Sequence, residues 1–338
     1  MSRRTRDRGW PADPEPLPSP VPDNHTHLDA VITWRAGGWD GPPGAAGAQG
    51  AAGAQGAAGA QGAASAAGAE SAERVVGLDE HLARAAAVGV PWMVQVGCDL
   101  EAVAWTDAAV RAYPQLLGAV AIHPNEAVLH AGVHEVAPDG LTPDPQPRHD
   151  VPLEQAIAAV AAVAGSNPRV RAIGETGLDH FRAGLAGRAL QRDAFRAHVA
   201  LAKELDLALQ IHDRDAHAEV LDVLRRDGAP ARTVFHCFSG DVDLAAVCVE
   251  HGWFCSFAGP VSFPANTELR AAAALVPPHL LLVETDAPYL TVHPHRGRPN
   301  APYLLPDTVR ALAAATGRPL DDVCAALAAT AERVYGTC

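Results

Sequence analysis

The chain is poor in several residue types that mark particular classes of protein. Of its 338 residues, 19% are charged and 5% are aromatic, and Lys203 is the only lysine. Basic residues number 26 against 39 acidic ones, so the formal net charge is −13. Proteins that coat nucleic acid neutralise many phosphates with lysine and arginine, and this charge balance argues against that class. It does not exclude an enzyme that holds a single phosphodiester.

Long apolar runs and paired cysteines are also missing. No stretch approaches the roughly 20 apolar residues that cross a bilayer, and the basic first ten residues lack the apolar core of a secretory signal. We therefore expect no membrane contact and a cytoplasmic location. The six cysteines show no CxxC spacing, which favours free thiols over disulfides. Cys237, beside His236, is the one cysteine that is a candidate minor metal ligand.

Two segments have the composition of irregular chain. Residues 1–20 are rich in arginine, proline and aspartate and predict a disordered tail ahead of a domain over residues 21–338. Residues 41–70 are an Ala/Gly/Gln insertion with glycine at every third position from Gly41 to Gly62. This spacing matches the collagen repeat, but proline occurs only in the first triplet. A flexible insertion is therefore favoured over a trimerising triple helix, and we expect a monomer.

Elsewhere, apolar runs typical of buried strands alternate with nine helix-like stretches. The eight runs lie near residues 20–25, 92–97, 117–122, 170–174, 207–211, 232–236, 253–257 and 280–285. This alternation predicts an α/β fold of the (β/α)8 TIM-barrel type, whose usual size of about 250 residues fits once the tail and insertion are removed. A doubly wound open sheet is the alternative. That fold normally carries a glycine-rich phosphate loop after its first strand, where this chain has His-Thr-His.

Six residues of metal-binding type stand where these apolar runs end. They are His25, His27, Glu175, His212, His236 and Asp286. In a (β/α)8 barrel the carboxyl ends of the strands meet at one mouth, so side chains at the ends of strands one, four, five, six and eight converge there. Each histidine alone has an ordinary structural explanation, but six such residues in matching positions favour a divalent-metal site.

The pattern indicates a centre of two divalent ions. His25 and His27 lie two residues apart on an extended chain and so point to the same side. Glu175 has two oxygens that can bridge two ions, and Asp286 can bind one ion and orient or deprotonate its water. Such a centre activates hydroxide and suits an anionic phosphodiester. Mixed imidazole and carboxylate ligation permits Zn, Mn, Fe or, less readily, Mg.

Other residues are candidates for supporting roles. Arg296 and His295, within His-Pro-His-Arg-Gly, and His123 are predicted to hold substrate phosphate. Asp29 and Asp215 are candidates for orienting the ligands rather than for ligation. Asp179, after the strand that carries Glu175, suits either this role or a helix cap.

In order along the chain, the motifs resemble those of the TatD family of metal-dependent hydrolases. The motifs are His-Thr-His-Leu-Asp at 25–29, Val-Gly-Cys-Asp at 96–99, Ala-Ile-His-Pro at 121–124, Gly-Glu-Thr-Gly-Leu-Asp at 174–179, Ile-His-Asp-Arg-Asp-Ala at 211–216, His-Cys-Phe-Ser-Gly at 236–240, Glu-Thr-Asp-Ala-Pro-Tyr-Leu at 284–290 and Pro-His-Arg-Gly at 294–297. The resemblance implies that the six residues above are metal ligands. It also implies a deoxyribonuclease, commonly a 3′-to-5′ exonuclease that acts on the ends of single-stranded DNA.

The sequence departs from this family at three places near the expected site. Asn125 stands in place of the second histidine of His-Pro-His, and Asp213 stands where serine is usual. Asn-Ala-Pro at 300–302 replaces Asn-Glu-Pro, so one acidic group is missing. None of these differences replaces a predicted metal ligand. We expect them to affect which substrates the enzyme prefers.

Two other functions remain open from the sequence. A hydrolase of the same fold could act on an amide, a lactone or an aminoacyl ester. Some hydrolases of this fold use a carbamylated lysine on strand four, and Lys203 lies in a helix-like stretch instead, which favours the Glu-bridged phosphodiesterase type. A non-catalytic binding module is the second alternative, and the full ligand set argues against it.

Overall fold

Eight parallel strands form one sheet in sequence order in the computed structural model, which describes residues 9–34 and 76–338. The strands are β1 (Asp23–Thr26), β2 (Met93–Gly97), β3 (Leu116–Val120), β4 (Val170–Asp179), β5 (Ala208–Arg214), β6 (Thr233–Phe235), β7 (Phe254–Phe257) and β8 (Leu281–Val283). A parallel bridge between Thr26 and Ala287 joins the two ends of the sheet. The predicted (β/α)8 barrel is confirmed.

Helices surround the sheet and bury one face against it. They are α1 (Leu28–Thr33), α2 (Leu78–Ala87), α3 (Leu100–Ala112), α4 (Pro124–His130), α5 (Leu153–Ser166), α6 (Leu185–Glu204), α7 (His217–Asp227), α8 (Val242–His251), α9 (Thr267–Leu275), α10 (Leu305–Thr316) and α11 (Leu320–Tyr335). In α6, for example, Phe195 and Val199 are fully buried four residues apart, on one helical face. The short helices α1 and α4 were not predicted, because so few residues give no clear helical periodicity.

Strands β4 and β5 continue beyond their apolar runs. Their pairing extends to Gly177 opposite His212 and to Asp179 opposite Arg214. Glu175 and His212 therefore lie within strands rather than in the loops that follow. A side chain carried by a paired strand is held in place more firmly than one carried by a loop.

Polar side chains meet inside the barrel below the mouth. The Asn24 side-chain amide donates to Ser256 Oγ at 2.8 Å, and the Gln210 amide donates to Tyr335 Oη at 2.8 Å. The Tyr335 hydroxyl donates in turn to Asn24 Oδ1 at 3.0 Å. These contacts join β1, β5 and β7, which are not neighbours in the sheet. Each of these three contacts pairs a buried donor with a buried acceptor, so a polar interior is compatible with a stable barrel.

Residues 9–20 correct the prediction of a disordered tail, because they pack against the barrel. Leu17 is buried, and its backbone N–H donates to the Val88 carbonyl at 3.0 Å. Arg84 pairs with the Asp13 carboxylate through Nε at 2.8 Å, and the Tyr303 hydroxyl donates to the Pro11 carbonyl at 2.9 Å. The segment is polar on average, so its composition gives no indication of these few contacts. Residues 1–8 and the insertion predicted over 41–70 lie outside the described residues.

None of the helices in residues 9–34 and 76–338 combines the length and the apolar character that a membrane span requires.

Candidate metal centre

A cavity of about 800 Å³ lies where the carboxyl ends of the strands converge. Five of the six predicted ligands line it: His27, Glu175, His212, His236 and Asp286. The sixth, His25, is fully buried behind them. The barrel therefore brings together residues that are more than 250 positions apart in the sequence.

Glu175 lies at the middle of this group, and each of its carboxylate oxygens faces a different set of imidazoles. Oε1 is 2.5 Å from His212 Nδ1 and 2.9 Å from His236 Nε2. Oε2 is 3.7 Å from His25 Nε2 and 3.9 Å from His27 Nε2. Because the two oxygens serve separate nitrogen pairs, the carboxylate has the geometry of a bridge between two cation positions.

Asp286 places a second carboxylate beside His25 and His27. Its Oδ1 is 3.5 Å from His27 Nε2 and 3.7 Å from His25 Nε2. The residue has a φ of 55°, in the left-handed region that residues with a Cβ seldom adopt. Its backbone N–H donates to the His25 carbonyl at 3.0 Å, so the loop after β8 is tied to β1 while in this conformation.

In His27 and His236, a hydrogen bond at the ring nitrogen that points away from the centre determines the tautomer. His27 Nδ1 lies 3.1 Å from the Val96 carbonyl oxygen, and His236 Nδ1 lies 2.9 Å from Glu284 Oε1. Both oxygens accept, so each Nδ1 carries a hydrogen. In the neutral rings the Nε2 lone pairs are then directed at the centre, as metal ligation requires.

Glu284 is a functional candidate that the sequence reasoning missed. It is fully buried and accepts from His236 Nδ1, from the Cys237 backbone N–H at 2.8 Å and from the Ser256 hydroxyl at 2.5 Å. Three donors hold the carboxylate, and it in turn fixes the His236 ring. Its position two residues before the predicted ligand Asp286 is evident in the sequence. Its contact with His236 is evident only from the fold.

His123 has the opposite tautomer. Its Nδ1 accepts the Asn125 backbone N–H at 3.1 Å, so the neutral ring carries its hydrogen on Nε2. That nitrogen lies 3.5 Å from Glu175 Oε1 and 3.4 Å from His212 Nδ1. His123 therefore presents a hydrogen-bond donor to the cavity rather than a lone pair. This geometry suits contact with a substrate oxygen better than ligation.

Asp179 supports His212 from the wall of the site. Its Oδ2 is 3.3 Å from His212 Nε2 and accepts from the Asn125 side-chain amide at 3.0 Å. The Gln191 amide donates to Asn125 Oδ1 at 3.2 Å and so orients that side chain. Asn125, which departs from the family pattern, thus links α6 to Asp179, the carboxylate that contacts the histidine.

Burial and the surrounding charges set the protonation of the carboxylate and of His25. Burial, together with His236 and His27, lowers the pKa of His25 well below its usual range, so this ring stays neutral. Burial opposes a charge on Glu175, yet His236, His123 and His212 hold its pKa well below its usual value. The central carboxylate is therefore ionised.

Three other histidines, His27, His212 and His236, are cations when no metal is bound. Burial lowers the pKa of His236, but the Glu175 and Glu284 carboxylates outweigh it and raise the pKa well above its usual range. Burial lowers the pKa of His27, but the Asp286 and Glu175 carboxylates outweigh it and raise the pKa to about 9. Burial is likewise outweighed at His212, whose pKa Glu175 and Asp179 raise to about 9. At neutral pH, protons thus provide positive charge that a divalent ion can replace.

The donor atoms are spaced as ligands of shared ions. A bond from zinc to an imidazole nitrogen or a carboxylate oxygen is about 2 Å long, so two ligands of one ion lie about 3 to 4 Å apart. The distances from His25 and His27 to Asp286 and Glu175, between 3.5 and 3.9 Å, fall in this range. Neutral His25, the ionised Glu175 and the directed Nε2 lone pairs make this donor set fit a divalent metal.

Comparison with known proteins identifies the family. The family model described as TatD related DNase matches residues 23–336. The chain belongs to this family. It is 44% identical, over 75% of its length and 89% of the relative's, to the uncharacterized metal-dependent hydrolase TatD of Mycobacterium tuberculosis. The chain is thus a TatD-family metal-dependent hydrolase, as the motifs predicted.

Other relatives cover a similar share of the chain. The 3′-5′ ssDNA/RNA exonuclease TatD of Citrobacter rodentium is 31% identical over 76% of this chain and 91% of its own. Among solved structures, the TatD homolog YjjV of Escherichia coli superposes with a TM-score of 0.66 at 25% identity. That match covers 77% of this chain and 92% of the other.

Two of the predicted substrate-binding residues of this TatD-family chain do not line the cavity. The Arg296 guanidinium lies 5.1 Å from the centroid of the Phe263 ring, and His295 Nε2 lies 4.0 Å from an Asp307 carboxylate oxygen. Among the described residues, the arginines that line the cavity are Arg148 and Arg214. Sequence reasoning gave no signal for Arg148, which follows a proline-rich segment.

Two thiols line the TatD-family cavity as well. Cys98 Sγ lies 3.5 Å from Glu175 Oε2, so this thiol, rather than Cys237, makes the recorded contact with a predicted ligand. Burial, followed by the nearby carboxylates, raises the pKa of both thiols well above the usual value. Both are therefore protonated when no metal is bound.

A second histidine and carboxylate cluster borders the cavity. Glu126 accepts from Arg148 Nε at 2.8 Å and Nη2 at 3.1 Å, and its Oε2 lies 2.7 Å from His149 Nε2. His149 Nδ1 accepts the Gln146 backbone N–H at 2.7 Å, so its Nε2 carries the hydrogen and donates to Glu126. Arginine and histidine donors thus satisfy this carboxylate without a metal ion.

Proposed function

We propose that this TatD-family hydrolase is a nuclease that cleaves phosphodiester bonds at the ends of DNA strands, acting in the 3′-to-5′ direction. We further propose that two divalent ions, from among Zn, Mn and Mg, occupy the centre formed by His25, His27, Glu175, His212, His236 and Asp286. The observation that carries the proposal is the position of Glu175, whose two oxygens face two separate pairs of imidazoles.

The charge of the site supports an anionic substrate. Two divalent ions would bring four positive charges to a donor set in which Glu175 and Asp286 supply two negative ones. The excess favours binding of a phosphodiester at the centre. When bound, such ions supply Lewis acidity and lower the pKa of a coordinated water.

The protein groups have separate parts in this proposal. Asp286, which follows β8 and lies beside His25 and His27, accepts the proton of the attacking water. His123 donates its Nε2 hydrogen to a phosphate oxygen. Glu284 keeps His236 in the tautomer whose Nε2 lone pair faces the centre. Each part follows from which atom of the residue faces the cavity.

A relative gives independent support for nuclease activity. The Citrobacter rodentium protein, 31% identical over 76% of this chain, is named an exonuclease of single-stranded DNA and RNA. The other relative described above is named only as a metal-dependent hydrolase.

A substrate panel tests the proposal directly. The chelator-treated protein would be loaded with Mg, Mn or Zn and assayed on 5′- and 3′-labelled single-stranded DNA, RNA, and a set of amides, lactones and aminoacyl esters. We expect metal-dependent shortening of DNA from the 3′ end and little turnover of the small molecules. Turnover confined to an amide or ester would instead identify the other class of hydrolase that this fold supports.

A further inference from the structure

A histidine and a carboxylate outside the predicted ligand set form a pair in the wall of the cavity. His217, the first residue of α7, has its Nδ1 2.7 Å from Asp213 Oδ2, and both residues line the cavity. The carboxylate accepts, so Nδ1 carries the hydrogen of this contact. The Asp213 side chain is 5% exposed, whereas that of His217 is 39% exposed. The Nε2 edge, which faces away from Asp213, is therefore the edge open to the cavity.

Carboxylates from three segments act on the His217 ring. Asp213 lies on β5, Asp215 lies between β5 and α7, and Asp241 caps the start of α8. The hydrogen bond to Asp213 and the charges of these three carboxylates outweigh burial and raise the pKa of His217. The other charged groups at this end of α7 pair with one another; they are Glu219, His180 and Arg192. His217 therefore keeps its proton to higher pH than an isolated histidine does.

The pair lies across the centre from Asp286. Asp213 directly follows His212 on β5, whereas Asp286 lies beside His25 on β1. These two strands are four places apart in a barrel of eight, so they stand on opposite sides of the mouth. The oxygens of Glu175 show the same division, because Oε1 contacts His212 and Oε2 faces His25.

This division matches the geometry of phosphodiester cleavage. An in-line displacement at phosphorus places the attacking and the leaving oxygen on opposite sides. Asp286 takes the proton of the attacking water on the β1 side, so the leaving oxygen is directed to the β5 side. The volume of about 800 Å³ is that of a pocket for one small molecule, and it places both sides of a bound phosphodiester within the same cavity.

Resting on the proposed function, we propose that His217, held by Asp213, protonates the leaving oxygen when the phosphodiester is cleaved. The ring is fixed at Nδ1 and open at Nε2, the arrangement in which a carboxylate orients an imidazole for proton transfer. The pair depends on Asp213, which stands where serine is usual in the family. A serine hydroxyl has no negative charge to hold a cationic ring.

Atoms and protons balance in this step. The oxygen of one water forms a bond to phosphorus, and its proton passes to Asp286. The bond between phosphorus and the 3′ oxygen of the neighbouring nucleotide breaks, and its electron pair stays on that oxygen. The oxygen takes the hydrogen of His217 Nε2 and leaves as a hydroxyl group. His217 is then neutral and Asp286 is protonated, and proton exchange with solvent restores both, with one water consumed.

Substrates that differ in their leaving group test the proposal. Single-turnover rates of the metal-loaded wild type and His217→Gln would be compared on a thymidine dinucleotide and on the 4-nitrophenyl ester of thymidine 5′-phosphate. A nucleoside oxygen needs a proton to leave, whereas 4-nitrophenolate leaves as the anion. We expect His217→Gln to lose about 100-fold on the dinucleotide and less than about threefold on the nitrophenyl ester, because only the first reaction uses a general acid.

The other outcomes of this comparison overturn a stated claim. Equal losses on both substrates would show that His217 acts through the structure of the site and not through proton transfer. Unchanged rates on both would show that it takes no part in the reaction. Either result overturns the inference while nuclease activity stands. No cleavage of any DNA by the wild-type enzyme overturns the proposed function itself.

The pH profile provides a second readout. His217 acts in its protonated form, so the rate on the dinucleotide should fall as pH rises through the pKa of His217. Asp213→Asn removes the carboxylate that raises this pKa most, so the fall should move to lower pH by about one unit. The nitrophenyl ester should show no such movement. A fall at the wild-type pH in Asp213→Asn would contradict the role of the pair.

Controls separate this role from a loss of folding or of metal. His180 Nε2 lies 2.8 Å from Glu219 Oε2 on α7, but His180 is not among the described residues that line the cavity. His180→Gln is therefore the matched variant and should behave as the wild type on both substrates. Circular dichroism and metal content would be measured for every variant. If His217→Gln fails to fold, Asp213→Asn replaces it, with a loss of up to about tenfold above neutral pH on the dinucleotide alone, the change in protonated fraction for one pKa unit.

Discussion

Two buried clusters of histidine and carboxylate border the same cavity, and they differ in how their charges are satisfied. Around Glu126, an arginine and a histidine donate hydrogen bonds to one carboxylate. Around Glu175, His212 and His236 approach Oε1 while His25 and His27 face Oε2, and no arginine or lysine contact with it is recorded among the described residues.

The difference shows why proximity alone does not identify a metal site. Both clusters place donor atoms within a few ångströms of one another. In the Glu126 cluster, His149 already uses Nδ1 as an acceptor and Nε2 as a donor, so it has no lone pair for an ion. In the Glu175 cluster, backbone or carboxylate partners behind His27 and His236 leave Nε2 directed inward. We therefore predict metal binding at Glu175 and an ion-pair role at Glu126.

The largest expected effect is that of Glu175→Gln or Glu175→Ala. Loss of the central carboxylate should reduce turnover by more than about 1000-fold, since a partner that merely orients a ligand accounts for about 10- to 100-fold. Metal content by elemental analysis should fall in the same variant, while circular dichroism stays that of the wild type. Unchanged hydrolysis by a folded Glu175→Ala protein would refute the assigned role.

At the other cluster we expect a loss of stability instead. Burial would raise the pKa of Glu126, but His149 and Arg148 outweigh it and lower the pKa from 4.5 to about 2. A depressed pKa stabilises the fold at pH values above the unfolded-state pKa, and the benefit is lost as pH falls from about 5 to about 2. Glu126→Gln should therefore lower the free energy of unfolding by up to about 3 kcal/mol at pH 7 and by little near pH 2.

Urea unfolding of the metal-free protein at both pH values measures this difference. Glu101→Gln is the matched control, because Glu101 also faces Arg148 but is 71% exposed. Its effect should be below about 1 kcal/mol, as for exposed ion pairs. Metal stoichiometry should be unaltered in Glu126→Gln; a lost ion would show that the second cluster also binds metal.

A smaller effect is expected when Glu284 is changed. Glu284→Gln can present its amide to His236 Nδ1 and favour the wrong tautomer, so metal affinity should fall by about 10- to 100-fold. Competition with a chromogenic chelator measures the affinity without reference to turnover. Ser256→Ala, which removes one donor to Glu284, should have a weaker effect of the same sign. Equal affinity in all three proteins would mean that Glu284 does not orient the ring.

Metal uptake by the wild-type protein should also depend on pH. His27 and His212 have a pKa of about 9 without metal, so both are protonated at neutral pH and must lose their protons to an ion. Apparent affinity should rise with pH up to about 9, by about tenfold per unit for each proton released. Calorimetry at pH 7 in buffers of different ionisation enthalpy counts these protons. Uptake without proton release would contradict the assignment of these rings as ligands.

Much of the fold and the gathering of the donors could be predicted from the sequence. Buried parallel strands are apolar throughout, so each strand was visible as a short run. The barrel then required residues at the ends of strands one, four, five, six and eight to meet. The structure places all six donors together, and ligation by them stays a prediction.

The features that were missed depend on contacts between distant segments. Glu284 is significant only because the end of β8 lies beside His236. Arg296 lies in a loop, where the sequence does not predict the direction of a side chain. Arg214 lies on β5 two residues after His212, so its side chain points to the same side of the strand as that of His212. The prediction of a disordered tail was wrong for residues 9–20, because it relied on average composition. A few individual contacts, such as those of the buried Leu17, hold this segment against the barrel.

The packed N-terminal segment has a practical consequence for work on this chain. Arg298, in the loop after β8, donates to the backbone carbonyls of Gly9 at 2.8 Å and Trp10 at 2.7 Å. A truncated expression clone that starts at the first histidine motif removes both acceptors, and backbone atoms cannot be restored by a point mutation. Such a shortened protein should be more sensitive to proteases around residues 291–300 than the chain that keeps residues 9–20.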